Sequence, residues 1–152
     1  MGHSLEMEAI VVLTKRQGER FGHPVVGIEH LILALAAGGN SLEARALYDA
    51  KLDEWTLRRM VIGIHDSVHV ATSWSLTNAE LNPEVTAVAY LYAAELAEKE
   101  GEALVQPRHL LEAALDRRAG RAFVGGRPVT QLVKRSLQHH RGGVRFAHAT
   151  TP

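Results

Sequence analysis

The sequence predicts an all-α domain of about eight helices, formed by a duplicated helical unit whose copies stand in pseudo-twofold relation. Three observations carry that expectation. Apolar residues recur at spacings of three and four along most of the chain, as they do on one face of an α-helix. Strand signals are poor, and Val68-His69-Val70-Ala71 is the one short candidate. The chain also resembles itself at an offset of 79 residues. Gly22 to Leu35 laid over Gly101 to Ala114 gives five identities in fourteen positions, His30 over His109 among them, with apolar character kept at most others.

The helices follow in order. Ser4 supplies an N-cap oxygen, and Leu5, Ala9, Val12 and Leu13 mark an inward face for a first helix that Gly22-His23-Pro24 ends. A more apolar helix spans about Ile28 to Ala37 and stops at Gly38-Gly39-Asn40. Ser41 to Ala50 and Asp53 to Asp66 give two more, with Leu42, Ala46, Leu47, Leu57, Met60 and Val61 facing inward. The period weakens from Ser67 to Leu81, and Thr72-Ser73-Trp74-Ser75 reads as linker. Asn82-Pro83 couples a capping residue to Pro at the first helical position and opens a helix to about Lys99. Pro107 opens another, to about Arg117. Ala119 to Gly126 leaves little room for a long helix, and Val129 to His140 makes the last. The expected organisation is one domain over 4–140, with repeat one at 4–80, repeat two at 81–140, and an aperiodic, flexible tail at 141–152.

Composition narrows the function. Of 152 residues 46% are hydrophobic, enough for a core without staples. Cys is absent, which excludes disulfides, thiolate metal sites and cysteine nucleophiles. Seventeen basic residues balance seventeen acidic ones, which argues against a broad electrostatic nucleic-acid binder, and 5% aromatics argues against base-stacking platforms. The basic run through Arg117, Arg118, Arg121, Arg127, Lys134, Arg135, Arg141 and Arg145 reads as a solvated face before a site for acidic partners or nucleic acid. No apolar stretch is long enough to span a membrane, and the N-terminus has neither the basic nor the apolar region of a secretory signal, so the expected location is the cytoplasm. No phosphate loop of the form Gly-x-x-x-x-Gly-Lys-Ser/Thr and no Gly-x-Ser-x-Gly elbow occurs, so the expectation is a protein that is not an enzyme and uses no cofactor or metal.

The block Val26-Gly27-Ile28-Glu29-His30-Leu31-Ile32-Leu33-Ala34-Leu35 closely resembles the Gly-Thr-Glu-His-hydrophobic signature of the Clp N-terminal repeat, which occurs twice in the N-domain of ClpA- and ClpC-type AAA+ unfoldases. Asn82-Pro83 stands where that family usually has Thr-Pro, and the likeness runs from about Ser4 to His140. The resemblance implies a non-catalytic module of the Clp proteolytic system that binds protein or peptide substrates, degrons or adaptors. The alternative is a regulatory interaction module for an unrelated partner. It also implies a role for Glu29, because the Glu of each Glu-His pair helps bind the guanidinium end of phosphoarginine. Ile28 and Pro107 depart from the family's Thr, and Arg108 replaces its second Glu, so at most one site should keep that chemistry. The family's hydrophobic surface between the repeats takes peptides and cyclic-peptide antibiotics. Here Leu81 and His3 stand where aromatic residues are usual and Thr86 where a basic one is, which implies a shallower, less aromatic groove.

The bland readings stand beside these. Glu29 also suits a helix N-terminus by its charge alone. His30 and His109, each among Leu and Ala, read as core histidines, whereas His65 with His69, and His139 with His140, read as ordinary surface residues before metal ligands.

Overall fold

The computed structural model describes residues 1–66 and 80–149. Eight helices and four two-residue strands make up the described residues. Repeat one holds β1 (Gly2–His3), α1 (Leu5–Phe21), β2 (Val25–Val26), α2 (Ile28–Ala36), α3 (Leu42–Asp49) and α4 (Glu54–Asp66). Repeat two holds β3 (Glu80–Leu81), a continuous helix α5 (83–99), β4 (Leu104–Val105), α6 (Pro107–Asp116), α7 (Arg118–Val124) and α8 (Arg127–Ala149). The pattern-based candidate strand at 68–71 and the Thr72–Ser75 linker lie outside the described residues. No helix among the described residues is long and apolar enough to cross a membrane.

Helix boundaries follow the side chains that satisfy the end groups. Ser4, Ser41 and Asn82 accept the backbone N–H groups of Met7, Ala44 and Glu84, and Gly22, in left-handed conformation at φ 71°, closes α1. The last helix runs on to Ala149 although no apolar stripe marks the chain past His140. Arg141, 3.5 Å from Glu100 and 3.6 Å from Glu102, ties this stretch to the body. The span read as too tight for a long helix holds α7, a short helix made possible by Gly120. A Cβ there would come within 1.9 Å of the Ala114 carbonyl, so glycine lets α7 press against the end of α6.

The repeats exchange strands. β1 pairs in parallel with β4 and β2 with β3, so each ladder joins the two repeats. The symmetry extends to single hydrogen bonds: Ser4 N–H donates to Val105 O at 3.0 Å, and Asn82 N–H donates to Val26 O at 2.8 Å. The equivalent apolar helices α2 and α6 meet at the centre, and Leu31, Ile32, Leu33 and Leu35 from one pack with Leu110, Leu111 and Leu115 from the other. Each fully buried leucine contributes about 1.5–3 kcal/mol of transfer free energy.

Two features of the first helices escape sequence patterning. In α1 the buried residues are Met7, Thr14, Gln17 and Gly18, while Leu5 and Val12 are exposed, so the inward face is turned away from the one expected. Thr14 can face inward because its hydroxyl donates to the Ile10 carbonyl at 2.7 Å. Its counterpart α5 has one residue more between its cap Asn82 and the left-handed Gly101 than α1 has between Ser4 and Gly22. It is an α segment Pro83–Ala87, a π turn Val88–Tyr92 and an α segment Ala93–Lys99, with Ala93 N–H reaching back to Val88 O. Inward residues Val85, Val88 and Ala89 match α1 at an offset of 78, and Ala93 and Ala97 match it at 79. The π turn absorbs the extra residue and keeps both ends of α5 in register with the core.

Candidate functional site

The two helix starts that carry Glu29 and Arg108 are built alike and charged oppositely. At each, the buried histidine in the third helical position turns back on the chain. Gly27 N–H donates to His30 Nδ1 at 2.9 Å, and Gln106 N–H donates to His109 Nδ1 at 2.8 Å. A backbone N–H only donates, so both Nδ1 atoms are acceptors and the ring proton sits on Nε2. His30 Nε2–H then donates to His23 Nδ1 at 2.9 Å, and His109 Nε2–H to Glu100 Oε2 at 3.0 Å. Both rings are fully buried, as their place on apolar helix faces predicts. Burial pushes the His30 imidazole down to about 4, against the nearby Glu29 charge and with help from His23 and His65.

Glu29 lies at the start of α2 with its carboxylate folded back over Gly27, where a Cβ would stand 2.4 Å from Oε2. It is a quarter or less exposed and accepts a hydrogen bond from His65 Nε2 at 3.0 Å. His65 is therefore no ordinary surface histidine: it binds α4 to α2 and stacks on His23, ring centroids 3.6 Å apart. His69, its expected companion, lies outside the described residues. His140 is also engaged, donating with Ser136 to Asp49 at 2.7 and 2.5 Å. That Asp–His–Ser grouping is not a nucleophile arrangement, because the imidazole donates to Asp49 and does not accept from Ser136.

His23, His30 and His65 bring one ligand atom each within 4.8 Å of one another, the one such group among the described residues, and they have the chemistry of a zinc or copper site. Two features oppose it. The His23 and His65 rings are nearly parallel, at 16°, so their in-plane lone pairs do not converge on one ion. Ligation through His30 Nε2 would move a proton to Nδ1, against Gly27 N–H. The cluster as placed is a directed hydrogen-bond network.

Arg108 occupies the place of Glu29 in the other repeat but is buried. Its guanidinium lies 2.7 Å from Glu100 and 2.9 Å from Glu102, with Arg141 flanking the same two acids. Burial alone would raise the Glu100 carboxyl; His109 and Arg108 together hold it below the usual range. Burial and the neighbouring Glu100 raise that of Glu112. Leu81 is half-buried opposite Val26 in the β2–β3 ladder, which brings it to the chain that leads into Glu29. Thr86 is exposed on the first turn of α5. The structure thus gathers Glu29 and Leu81 at one ladder and leaves Arg108 at the other. His23 carried no signal in the sequence beyond its place in the turn after α1.

A two-repeat, all-α frame with ladders exchanged between repeats and equivalent histidine-capped helix starts defines a class of domain. The chain belongs to the Clp repeat (R) N-terminal domain family, whose model matches residues 4–124. Its fold is that of the N-terminal domain of the caseinolytic protease associated chaperone ClpD from Arabidopsis thaliana, at a TM-score of 0.63 and 12% identity over 91% of this chain and 94% of that one. No curated relative matches at the level of sequence. Membership makes the chain a Clp-associated protein-interaction module.

Proposed function

We propose that the chain is a non-catalytic peptide- and protein-binding module of the Clp proteolytic system, working in the cytoplasm, that takes substrates, degrons or adaptors at the seam between its repeats. The observation that supports this reading is the composition of the seam. Beside the ladders, Leu104 and Tyr90 stay open to solvent, Leu81 is half-buried, and His3 lies 5.3 Å from the Tyr90 ring. A surface of this kind offers apolar contact with few aromatic anchors, so it suits short apolar peptide segments and disfavours ligands that depend on two stacked rings. Phosphoarginine is a candidate ligand at Glu29 alone. Its guanidinium would take over the carboxylate that His65 now holds, whereas Arg108 is already neutralised by its own acids.

The test is affinity capture from lysate of the source cells with the wild-type chain and Glu29→Ala side by side. A Clp unfoldase or adaptor retained by the wild type and weakened in the variant is the expected result. Capture of an unrelated partner in both would favour the regulatory-module reading. In calorimetry, a seam peptide should bind Leu81→Ser about tenfold more weakly, and equal binding would remove the seam from the account.

A further inference from the structure

A cavity of about 580 Å³ lies between the two repeats on the Arg108 side. Ala9 and Ile10 of α1, Leu42 and Glu43 of α3, and Pro107 and Arg108 of α6 line it. Its volume is in the range of peptide and small-molecule sites. Glu43 is the unusual wall. It is only 7% exposed, and among the described residues no ion pair reaches its carboxylate, which accepts just its own backbone N–H. Burial raises its carboxyl above the usual range, with Arg108 only partly offsetting this at a distance. Arg108 is no counterion for it, since Glu100 and Glu102 hold that guanidinium. Nor do the surrounding helix starts call for an anion. Met7 and Ala44 N–H groups are on Ser4 and Ser41, and α6 opens with Pro107, which has no N–H. Glu6, also on the cavity wall, adds negative charge.

We propose that this cavity takes the cationic side chain of an unmodified arginine or lysine in a bound peptide. The head group pairs with Glu43, and the methylene stem and an apolar neighbouring residue fill the space along Ala9, Ile10, Leu42 and Pro107. The inference rests on the reading of the chain as a peptide-binding module, but at residues other than Glu29 and with the opposite demand on phosphorylation.

The experiment uses a fluorescent peptide containing a Leu-Arg pair and two relatives with citrulline or phosphoarginine in place of arginine, titrated by anisotropy into wild type, Glu43→Gln and Glu29→Gln. The arginine peptide should bind wild type about tenfold or more tighter than the citrulline peptide. That advantage should vanish in Glu43→Gln and persist in Glu29→Gln. Glu43→Gln should melt no lower than wild type, since it removes a desolvated carboxylate. Backbone amide shifts of Ile10 and Ala44 on adding the arginine peptide to wild type should mark the cavity without any variant. Equal binding of arginine and citrulline peptides, an advantage that survives Glu43→Gln, tighter phosphoarginine binding with shifts at these amides, or no binding at all would overturn the proposal. An advantage lost in Glu29→Gln and kept in Glu43→Gln would leave the Glu29 site standing and remove this one.

Discussion

His30 and His109, at equivalent starts of α2 and α6, cap their helices with the same Nδ1 atom and spend the Nε2 proton differently, one on His23 and the other on Glu100. The cap uses a group that helix starts leave without an intrahelical partner, and the fixed tautomer aims each ring at its second partner. His30→Ala should therefore lose the cap and leave a buried void, costing about 3 kcal/mol. His30→Gln, whose amide can reach back to the Gly27 N–H as a Gln at this position does in a capping box, should recover roughly 1 kcal/mol of that. Urea unfolding of both variants at pH 7 is the measurement, and equal losses would show that the ring's cap contributes nothing.

Acid should destabilise the domain through His30. An unfolded histidine takes its proton as pH falls through about 6.5, while folded His30 stays neutral down to about 4. Protons thus bind the unfolded chain preferentially in that window. Stability present above pH 6.5 is lost progressively toward pH 4, by about 3 kcal/mol for this residue. His109, lowered chiefly by burial, acts with the same sign. Unfolding free energy measured at half-unit steps from pH 7 to 4 should fall, and less steeply in His30→Gln. An identical slope in the variant would assign the effect to other groups.

The extra residue in α5 should be dispensable. Deleting Leu91, which is half exposed within the π turn, lets the helix revert to the uniform α geometry of α1 while Val85, Val88 and Ala89, and then Ala93 and Ala97, keep their inward places. Circular dichroism should show undiminished helicity and a cooperative melt within a few degrees of wild type. A non-cooperative melt would mean that the π turn is required for packing and does more than absorb an insertion.

Restoring a glutamate at position 108 should not restore a ligand site. Arg108→Glu puts a third carboxylate against Glu100 and Glu102, close to the raised carboxyl of Glu112, in a place only 8% exposed. The expected loss is about 3–5 kcal/mol, which for a chain of this size lowers the melting temperature by roughly 10 °C. Calorimetric melts of Arg108→Glu and Arg108→Met give the comparison; a glutamate variant as stable as wild type would show that the ion pairs do not hold this helix start.

Helix type, the duplication and the equivalence of His30 with His109 were all legible in the sequence, because apolar spacing and caps are local and a repeat shows itself to a simple offset. The inversion of charge between Glu29 and Arg108 was legible too. The orientation of α1 was not. Apolar period pointed to Leu5 and Val12, yet Thr14 and Gln17 turn inward. Thr14 satisfies its hydroxyl on the preceding turn, whereas among the described residues Gln17 Oε1 is buried without a hydrogen-bond partner, a cost that only the packing of the whole helix sets. The two-residue ladders were beyond reach because they are shorter than any period. Whether a charge is free was decided only by packing: α4 brings His65 to Glu29, the turn before β4 brings Glu100 and Glu102 to Arg108, and Glu43 is left in a cavity with neither. Periodicity records what each helix buries, but electrostatic partners belong to elements far apart in the chain, and their distances exist only once the helices are assembled.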